Sequence, residues 1–222
     1  MKMRFKDFKI LGLFQGEIKT LGPGAVKSAI IKDQVSTPVH ISLTQFGSDQ
    51  ISDLKHHGGK LRVVHQYVSE HYQQWRKLFP ANSELFNPGS FGENLSSQGV
   101  SEKDICIGDI IEVGDCLLQV TEPRRPCGTL NIRYGNHHFL EKLMQTTFYG
   151  WFYQVIRPGQ ITAGQTGKIV QRTHPELTLE TTIRAVFGPS PDFNLCQKLI
   201  ECQELSPTWQ NYAGRLIPSC HN

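Results

Sequence analysis

The segment EPRRPCG, residues Glu122–Gly128, places a cysteine on a stiff and positively charged stretch of backbone. Its two prolines fix their own φ angles and bias the preceding residues towards extended geometry, so the segment is not helical. Arg124 and Arg125 could favour the thiolate form of Cys127, which is the form that reacts and binds metals. The motif therefore fits a functional thiol, or a buried apolar cysteine beside two surface arginines.

The other five cysteines fit a structural role better. Cys106 and Cys116 fall in predicted strands, and Cys196 and Cys202 fall in a predicted helix. No pair has C-x-x-C spacing, and an even count is poor evidence for disulfides in a chain of 222 residues. We therefore expect the cysteines to be reduced.

The segment KHHGGKLR combines two glycines with basic side chains. Gly58 and Gly59 let the backbone approach a ligand closely, and consecutive N–H groups there can form an anion site. Lys55, His57 and Arg62 add charge or hydrogen bonds. Alone, the segment is a weak phosphate-site signal, and a basic surface turn is slightly favoured.

The segment SFGENL places two directional polar side chains after a turn glycine. Gly92 permits a tight turn, and Glu93 and Asn94 can pair with amide-like edges. Because Asn94 both donates and accepts hydrogen bonds, it suits the edge of a heterocycle. Taken alone, the segment is better explained as a solvated turn.

Several common site motifs do not occur in the sequence. The histidines match neither H-E-x-x-H nor a Cys/His finger, so we expect no zinc. The chain also has no G-x-S-x-G, Walker loop or G-x-G-x-x-G. With neither a flavin nor a nicotinamide signature, any redox activity needs electrons from a separate protein.

Composition and charge indicate an ordered, soluble protein. The chain is 38% hydrophobic and can bury a sizeable core. A net charge of +3 is too small to argue for nucleic acid as a partner. The first residues are basic, but their apolar run is short and no small-residue cleavage site follows. We expect a cytoplasmic location and no membrane association.

Short strands and two helices fill most of the chain. SEHYQQWRKLFP (Ser69–Pro80), with Ser69 as a plausible N-cap, and FLEKLMQT have helical patterns. FKILGLFQGEIKTL, ICIGDIIEVGDCLLQVTEP, GWFYQVIRPGQI and GKIVQRT have strand patterns. This order predicts a barrel-like or sandwich β domain and not alternating βαβ units.

The pattern changes after Pro175 to three short helical segments. Thr178, Asp192 and Ser206 are candidate N-caps for these helices. They predict a small three-helix module over residues 176–222, which must pack on the β domain to bury its apolar faces.

Taken in order, KHHGG, SFGENL, GD, PRRPC and GWFYQVIRPG resemble the MOSC family, named for the C-terminal domain of molybdenum cofactor sulfurases. The tail is similar to the extra module of small bacterial MOSC proteins linked to resistance against 6-N-hydroxylaminopurine. The resemblance implies a mainly β (α+β) fold, with a barrel-like MOSC domain over residues 1–175 and the helical module over residues 176–222.

The resemblance also implies a bound molybdenum–molybdopterin cofactor. In reductase members the metal is held by the pterin dithiolene, oxo groups and the cysteine of the P-R-x-P-C segment, which here is Cys127. Residues that match the other motifs would bind or surround the pterin and its phosphate. They are Lys55, His57, Gly58, Gly59, Arg62, Gly92, Glu93, Asn94 and Arg124.

The sequence departs from the family pattern at two places. Family members often continue H-G-G with Pro-Asp-Lys/Arg-Ala, whereas Leu61 stands here at the acidic position and Arg62 is retained. Any pairing made by that acidic side chain is therefore in doubt. A frequent Gly-Asp pair late in the domain is Gly164-Gln165 here.

The implied function is a molybdenum-dependent reductase of N-hydroxylated bases and amidoximes, with a separate flavoprotein as the electron donor. Glu93, His57 or water are candidates for the catalytic acid. The alternative is a non-catalytic cofactor-binding protein, or a sulfur carrier with a persulfide on Cys127. A thiol enzyme without a metal is a third possibility. No pyridoxal phosphate is expected, because nothing in the chain resembles a desulfurase domain.

Overall fold

A computed structural model of the protein describes residues 5–217, apart from the side chains of Lys55 and His56. The strands are β1 (Phe8–Gln15), β2 (Lys19–Leu21), β3 (Val26–Ser28), β4 (Asp33–Val35), β5 (Val39–Ile41), β6 (Val64–Val68), β7 (Leu95–Gln98), β8 (Ile110–Val113), β9 (Cys116–Pro123), β10 (Trp151–Arg157), β11 (Gly159–Ile161) and β12 (Thr166–Gln171). The α-helices are α1 (Leu54–His57), α2 (Ser69–Leu78), α3 (Thr129–Tyr134), α4 (Phe139–Met144), α5 (Leu179–Phe187), α6 (Phe193–Glu201) and α7 (Pro207–Gly214), and 3-10 helices cover Lys60–Arg62 and Pro80–Leu85.

Seven strands close into a barrel, in the order β12-β8-β9-β10-β6-β7-β1 with β1 pairing back to β12. The pair β6–β7 is parallel, and the other pairs within the barrel are antiparallel. β1 pairs with β12 through its first residues and with β4 through its last. The expected barrel-like, mainly β fold with added helices is confirmed.

The closing seam of the barrel depends on a close approach between β1 and β12. Phe8 lies opposite Gly167 in the register. Phe8 is buried, and its ring occupies the space that a β-carbon at Gly167 would need. The absence of a side chain at this position therefore lets the two strands meet and leaves the barrel with no open edge here.

Aromatic side chains lock the segment SFGENL against the helix that follows Cys127. The rings of Phe91 and Tyr67 stack with centroids 4.0 Å apart. On α3, the Tyr134 hydroxyl donates to the carbonyl of Ser90 at 3.1 Å. All three rings are fully buried. Two motifs that are 30 residues or more apart in sequence are thus held in one rigid cluster.

The C-terminal region forms the three predicted helices, and each begins at a predicted cap. The side chains of Thr178, Asp192 and Ser206 accept hydrogen bonds from backbone N–H groups in the first turns of α5, α6 and α7. The backbone N–H of Leu179 donates to Ile105 at 2.8 Å, and Trp209 on α7 is fully buried. The helices therefore pack on the barrel, as short helices must.

One local prediction was wrong, and one helix was not predicted. Ser69 is the first residue of α2 and not its N-cap, because its hydroxyl donates to Glu70 at 3.1 Å and leaves the helix without a side-chain cap. Helix α3, which follows Cys127, was missed because it gives little signal in the sequence. It has only six residues and begins after Gly128 without a capping hydrogen bond from a side chain. Within residues 5–217, no helix is long and apolar enough to cross a membrane.

We predict that Gly167→Ala lowers the free energy of unfolding by about 1–3 kcal/mol, because the added methyl group must displace the buried Phe8 ring. Urea denaturation followed by circular dichroism measures this change. Gly214→Ala is the control, since a β-carbon there meets no atom within 4 Å. Equal stability of the two variants would contradict the proposed constraint at the seam.

Candidate functional site

Cys127 lies in the turn between β9 and α3. The N–H of Arg124 donates to the carbonyl of Gly150 at 2.9 Å, just beyond the last residue of β9. The carbonyl of Cys127 accepts from the N–H of Leu130 at 3.1 Å, at the start of α3. The thiol is therefore held between a barrel strand and a helix.

Cys127 differs in exposure from the other cysteines that the structure describes. Cys106, Cys116, Cys196 and Cys202 are buried, whereas Cys127 is half-buried. Burial raises the pKa of the Cys106 thiol to about 12 and the pKa values of the Cys116 and Cys202 thiols to about 11. These buried thiols stay protonated near neutral pH, and Cys220 lies outside the described residues.

Two cavities meet at Cys127. The first, of about 230 Å³, extends towards β3 and the loop around residues 49–53. The second, of about 500 Å³, extends towards α4 and the C-terminal helices. The side chains that line both cavities are His57, Arg62, Arg124, Cys127 and Phe152. A group bound to the thiol at this junction is therefore within reach of both spaces.

The fold brings six of the predicted site residues to these cavities, namely His57, Arg62, Gly92, Asn94, Arg124 and Cys127. Gly58, Gly59 and Glu93 are not among the residues that line either cavity. Lys55 lies in α1, and its side chain is outside the described part of the chain. The roles of all ten as metal or cofactor ligands stay predictions.

Glu93 stabilises the SFGENL loop through hydrogen bonds to its buried carboxylate. Its carboxylate is fully buried and accepts hydrogen bonds from the Tyr72 hydroxyl at 2.7 Å, the Gly89 N–H at 2.6 Å and the Phe91 N–H at 3.1 Å. Burial raises the pKa of Glu93. The solvated turn favoured by this segment alone is therefore wrong, because its polar groups are buried and paired within the protein.

Asn94 belongs to a buried polar network that the sequence did not indicate. Its side-chain N–H donates to Asp49 at 2.8 Å, and its oxygen accepts from the N–H of His65 at 3.0 Å. Asp49 also forms an ion pair with Lys32, and both side chains are less than 10% exposed. Burial lowers the pKa of Lys32, while Asp49 opposes that change. This pair forms part of the first cavity's wall.

Arg124 and His65 line the first cavity, and each has one buried polar atom without a hydrogen-bond partner among the described residues. Arg124 is buried, with its guanidinium 5.1 Å from the centre of the Phe91 ring, and its Nη1 has no hydrogen-bond partner. His65 Nδ1 lies 3.2 Å from the Gly92 carbonyl, which can only accept, so Nδ1 carries the proton. His65 Nε2 is then an unpaired acceptor.

Burial, followed by the charge of Arg124, lowers the pKa of His65 well below its usual value. The imidazole is therefore neutral near pH 7, and Arg124 supplies a positive charge at this wall that has no carboxylate partner among the described residues. An unpaired buried cation is costly in a closed protein interior, so this arrangement suits an anionic ligand.

Arg62 finds its carboxylate partner in the cysteine segment itself. Its guanidinium bonds to Glu122, and Nη2 lies 3.3 Å from a Glu122 oxygen and 3.3 Å from the Thr208 hydroxyl. The Ser206 hydroxyl donates to the same carboxylate. The doubt raised by Leu61 is thus resolved for Arg62, because Glu122 supplies the negative charge.

A group of possible metal ligands lies apart from both cavities. One ligand atom each from His174, Cys202 and Glu204 lie within 4.8 Å of one another. His174 Nε2 is 3.0 Å from Glu204, and the Cys202 thiol is 3.7 Å from the same oxygen. The His174–Glu204 contact is an ion pair that joins the segment after β12 to the turn before α7, and the Cys202–Glu204 contact is a thiol hydrogen bond within that turn.

Comparison with known proteins agrees with this architecture. The chain is 37% identical over 202 residues to a protein named "Reductase" from Gibberella moniliformis, covering 90% of this chain but only 35% of that protein's length. It is 33% identical over 197 residues to "Protein YiiM" from Escherichia coli, covering 89% and 87% of the two chains. A crystal structure of YiiM from Escherichia coli superposes with a TM-score of 0.74 at 27% identity, over 91% of both chains.

The profile of the MOSC domain matches residues 53–167. That range contains the segments KHHGG, SFGENL and PRRPC, whose side chains meet around Cys127. The shared segments, the closed barrel and the similarity along most of the chain show that this protein belongs to the MOSC domain family.

Proposed function

We propose that the protein is a molybdenum-cofactor-dependent reductase of N-hydroxylated compounds, with Cys127 as the protein ligand of the metal. The observation that carries this proposal is the position of a half-exposed thiol at the junction of two cavities, beside a buried arginine with an unpaired N–H. The name of the fungal relative, "Reductase", supports the reaction class.

The residues around the first cavity suit the anionic cofactor. Arg124 offers an unpaired cationic donor, and His65 Nε2 offers an acceptor for an N–H group of a heterocycle. A cysteine thiolate is a soft ligand and matches a metal already held by a dithiolene. Lys32 and Asn94 complete the polar wall but are occupied by Asp49, so they position this wall more than they bind.

When bound, the cofactor supplies two-electron chemistry, by which an N–OH group plus two electrons and two protons gives N–H and water. The chain's own residues hold and orient the reacting groups. Cys127 would hold the metal at the junction, and Arg62 and Glu122 keep the segment that carries this cysteine in place. His57, which lines both cavities and is exposed, can carry a proton from solvent to a leaving hydroxyl.

Electrons must reach this site from outside the chain, because the sequence has no flavin or nicotinamide signature. We propose a separate flavoprotein reductase as the donor.

Metal analysis of the full chain, expressed in a host that makes the cofactor, separates the proposed function from a sulfur carrier. We predict about one molybdenum per chain, and reduction of an N-hydroxylated purine or an amidoxime once a chemical reductant is added. Labile sulfur on Cys127 without a metal would favour the carrier. Failure of a molybdenum-loaded sample on a broad N-hydroxy panel would exclude the reductase.

We predict that Cys127→Ser abolishes turnover while the fold survives, since it replaces a soft thiolate by a hard, mostly protonated hydroxyl of similar size. Activity per bound molybdenum is the measurement. Cys116→Ser is the matched control: its buried hydroxyl costs stability, but activity per folded molecule stays near wild type. Wild-type activity per metal in Cys127→Ser would remove the ligand assignment.

We predict opposite effects of Arg124→Met on stability and on cofactor retention. In the metal-free protein the free energy of unfolding rises by about 1 kcal/mol, because an unpaired buried donor costs more than the contact with Phe91 returns. Molybdenum content after purification falls at the same time. Arg215→Met, at an exposed position that lines neither cavity, changes neither quantity. Unchanged molybdenum in Arg124→Met would show that this arginine does not bind the cofactor.

A further inference from the structure

The second cavity is built by two parts of the fold. From the barrel side come Tyr149 and Phe152, and from the C-terminal helices come Phe187, Thr208 and Tyr212. At about 500 Å³ it has roughly twice the volume of the first cavity, at about 230 Å³. Four aromatic side chains, those of Tyr149, Phe152, Phe187 and Tyr212, line this space together with the basic side chains of Arg62, Arg124 and Arg125.

The two aromatic rings of the helical module are held in place by their neighbours. Phe187 packs 5.6 Å from the Tyr212 ring and 5.4 Å from the ring of Trp209, which is fully buried. The guanidinium of Arg125 lies 5.0 Å from the centre of the Tyr212 ring and donates to its hydroxyl. The ring of Tyr212 is thereby tied to the segment that carries Cys127.

Two unpaired polar atoms lie among these apolar surfaces. The Tyr149 hydroxyl is buried and has no hydrogen-bond partner among the described residues, and neither has Arg124 Nη1. Burial raises the pKa of Tyr149 to about 12, so the hydroxyl keeps its proton and can donate. A buried polar group without a partner is costly, and a ligand with a polar edge removes that cost.

Apolar walls with a few convergent polar groups are typical of small-molecule sites. We propose that the second cavity binds the substrate, and that Phe187 and Tyr212 make it select flat heteroaromatic N-hydroxylated compounds over aliphatic ones. The polar edge of the ring pairs with Tyr149, and the N–OH group points to Cys127. This inference rests on the proposed function for the reaction but not for binding of the ring.

The C-terminal module holds this wall at a fixed distance from the thiol. Ser206 bonds to Glu122, and Thr208 accepts from Arg62 at 3.3 Å. Thr208 and Tyr212 lie one turn apart on α7, so the contact that docks the helix also sets the position of its aromatic side chain. A wall on a rigid helix gives a specificity that a mobile loop does not.

Phe187→Leu and Tyr212→Leu test whether the second cavity binds flat rings, because these variants remove the aromatic rings and keep apolar side chains in their place. Adenine is the probe, titrated by calorimetry into the metal-free full chain. We expect each variant to bind adenine about tenfold more weakly than wild type, since stacking of a base on an aromatic ring contributes about 1–3 kcal/mol. Phe193→Leu, a half-exposed ring on α6 that lines neither cavity, leaves binding unchanged.

The molybdenum-loaded protein gives the second readout. We compare kcat/KM for an aromatic N-hydroxy substrate with kcat/KM for an aliphatic one. In Phe187→Leu and in Tyr212→Leu this ratio falls about tenfold, because KM for the aromatic substrate rises. Adenine binding that is absent in wild type, or equal in folded wild-type and variant proteins, overturns the inference. If the variants lose adenine binding but the wild-type chain takes up no molybdenum in a host that makes the cofactor, the second cavity is supported as a binding site and the proposed reaction is rejected.

Discussion

The buried carboxylate of Glu122 is the interaction on which the site depends. It is 2% exposed and bonds both to Arg62, which precedes β6, and to Ser206, which precedes α7. An unpaired carboxylate in this position would cost several kcal/mol. Three segments far apart in sequence are thus held around one charge. Because Glu122 is fixed by these bonds, they also hold the start of the segment that leads to Cys127.

Some of the buried polar groups near Cys127 have hydrogen-bond or ion-pair partners, and others have none among the described residues. Asp49 pairs with Lys32, and Glu93 accepts three hydrogen bonds, so these buried groups maintain the shape of the walls. Arg124 and Tyr149 retain atoms without partners, and both line the cavities beside the thiol. A ligand in these cavities that supplied partners for the two atoms would remove the cost of burying them.

The sequence predicted what local physics determines. Strand patterns and turn glycines indicated a barrel-like or sandwich β domain, and the caps at Thr178 and Ser206 located two helices, because these signals act within a few residues. The choice of a barrel came from the resemblance to the MOSC family. It could not indicate Lys32 or His65, whose roles arise only when the barrel closes and brings them to one wall. Glu122 was also missed: its sequence neighbours drew attention to the thiol, but its partners lie 60 and 84 residues away.

Ser206 shows how the helical module and the barrel become one functional unit. Its hydroxyl oxygen caps α7 by accepting a hydrogen bond from the Trp209 N–H at 3.4 Å, and the same hydroxyl donates a hydrogen bond to Glu122. A cap visible in the sequence is therefore also the docking contact that the sequence cannot reveal. Because α7 carries Tyr212 on the next turn, changes in this helix can alter the second cavity while Cys127 stays in place on the barrel. Under the proposed division, the barrel fixes the chemistry and the module sets the substrate.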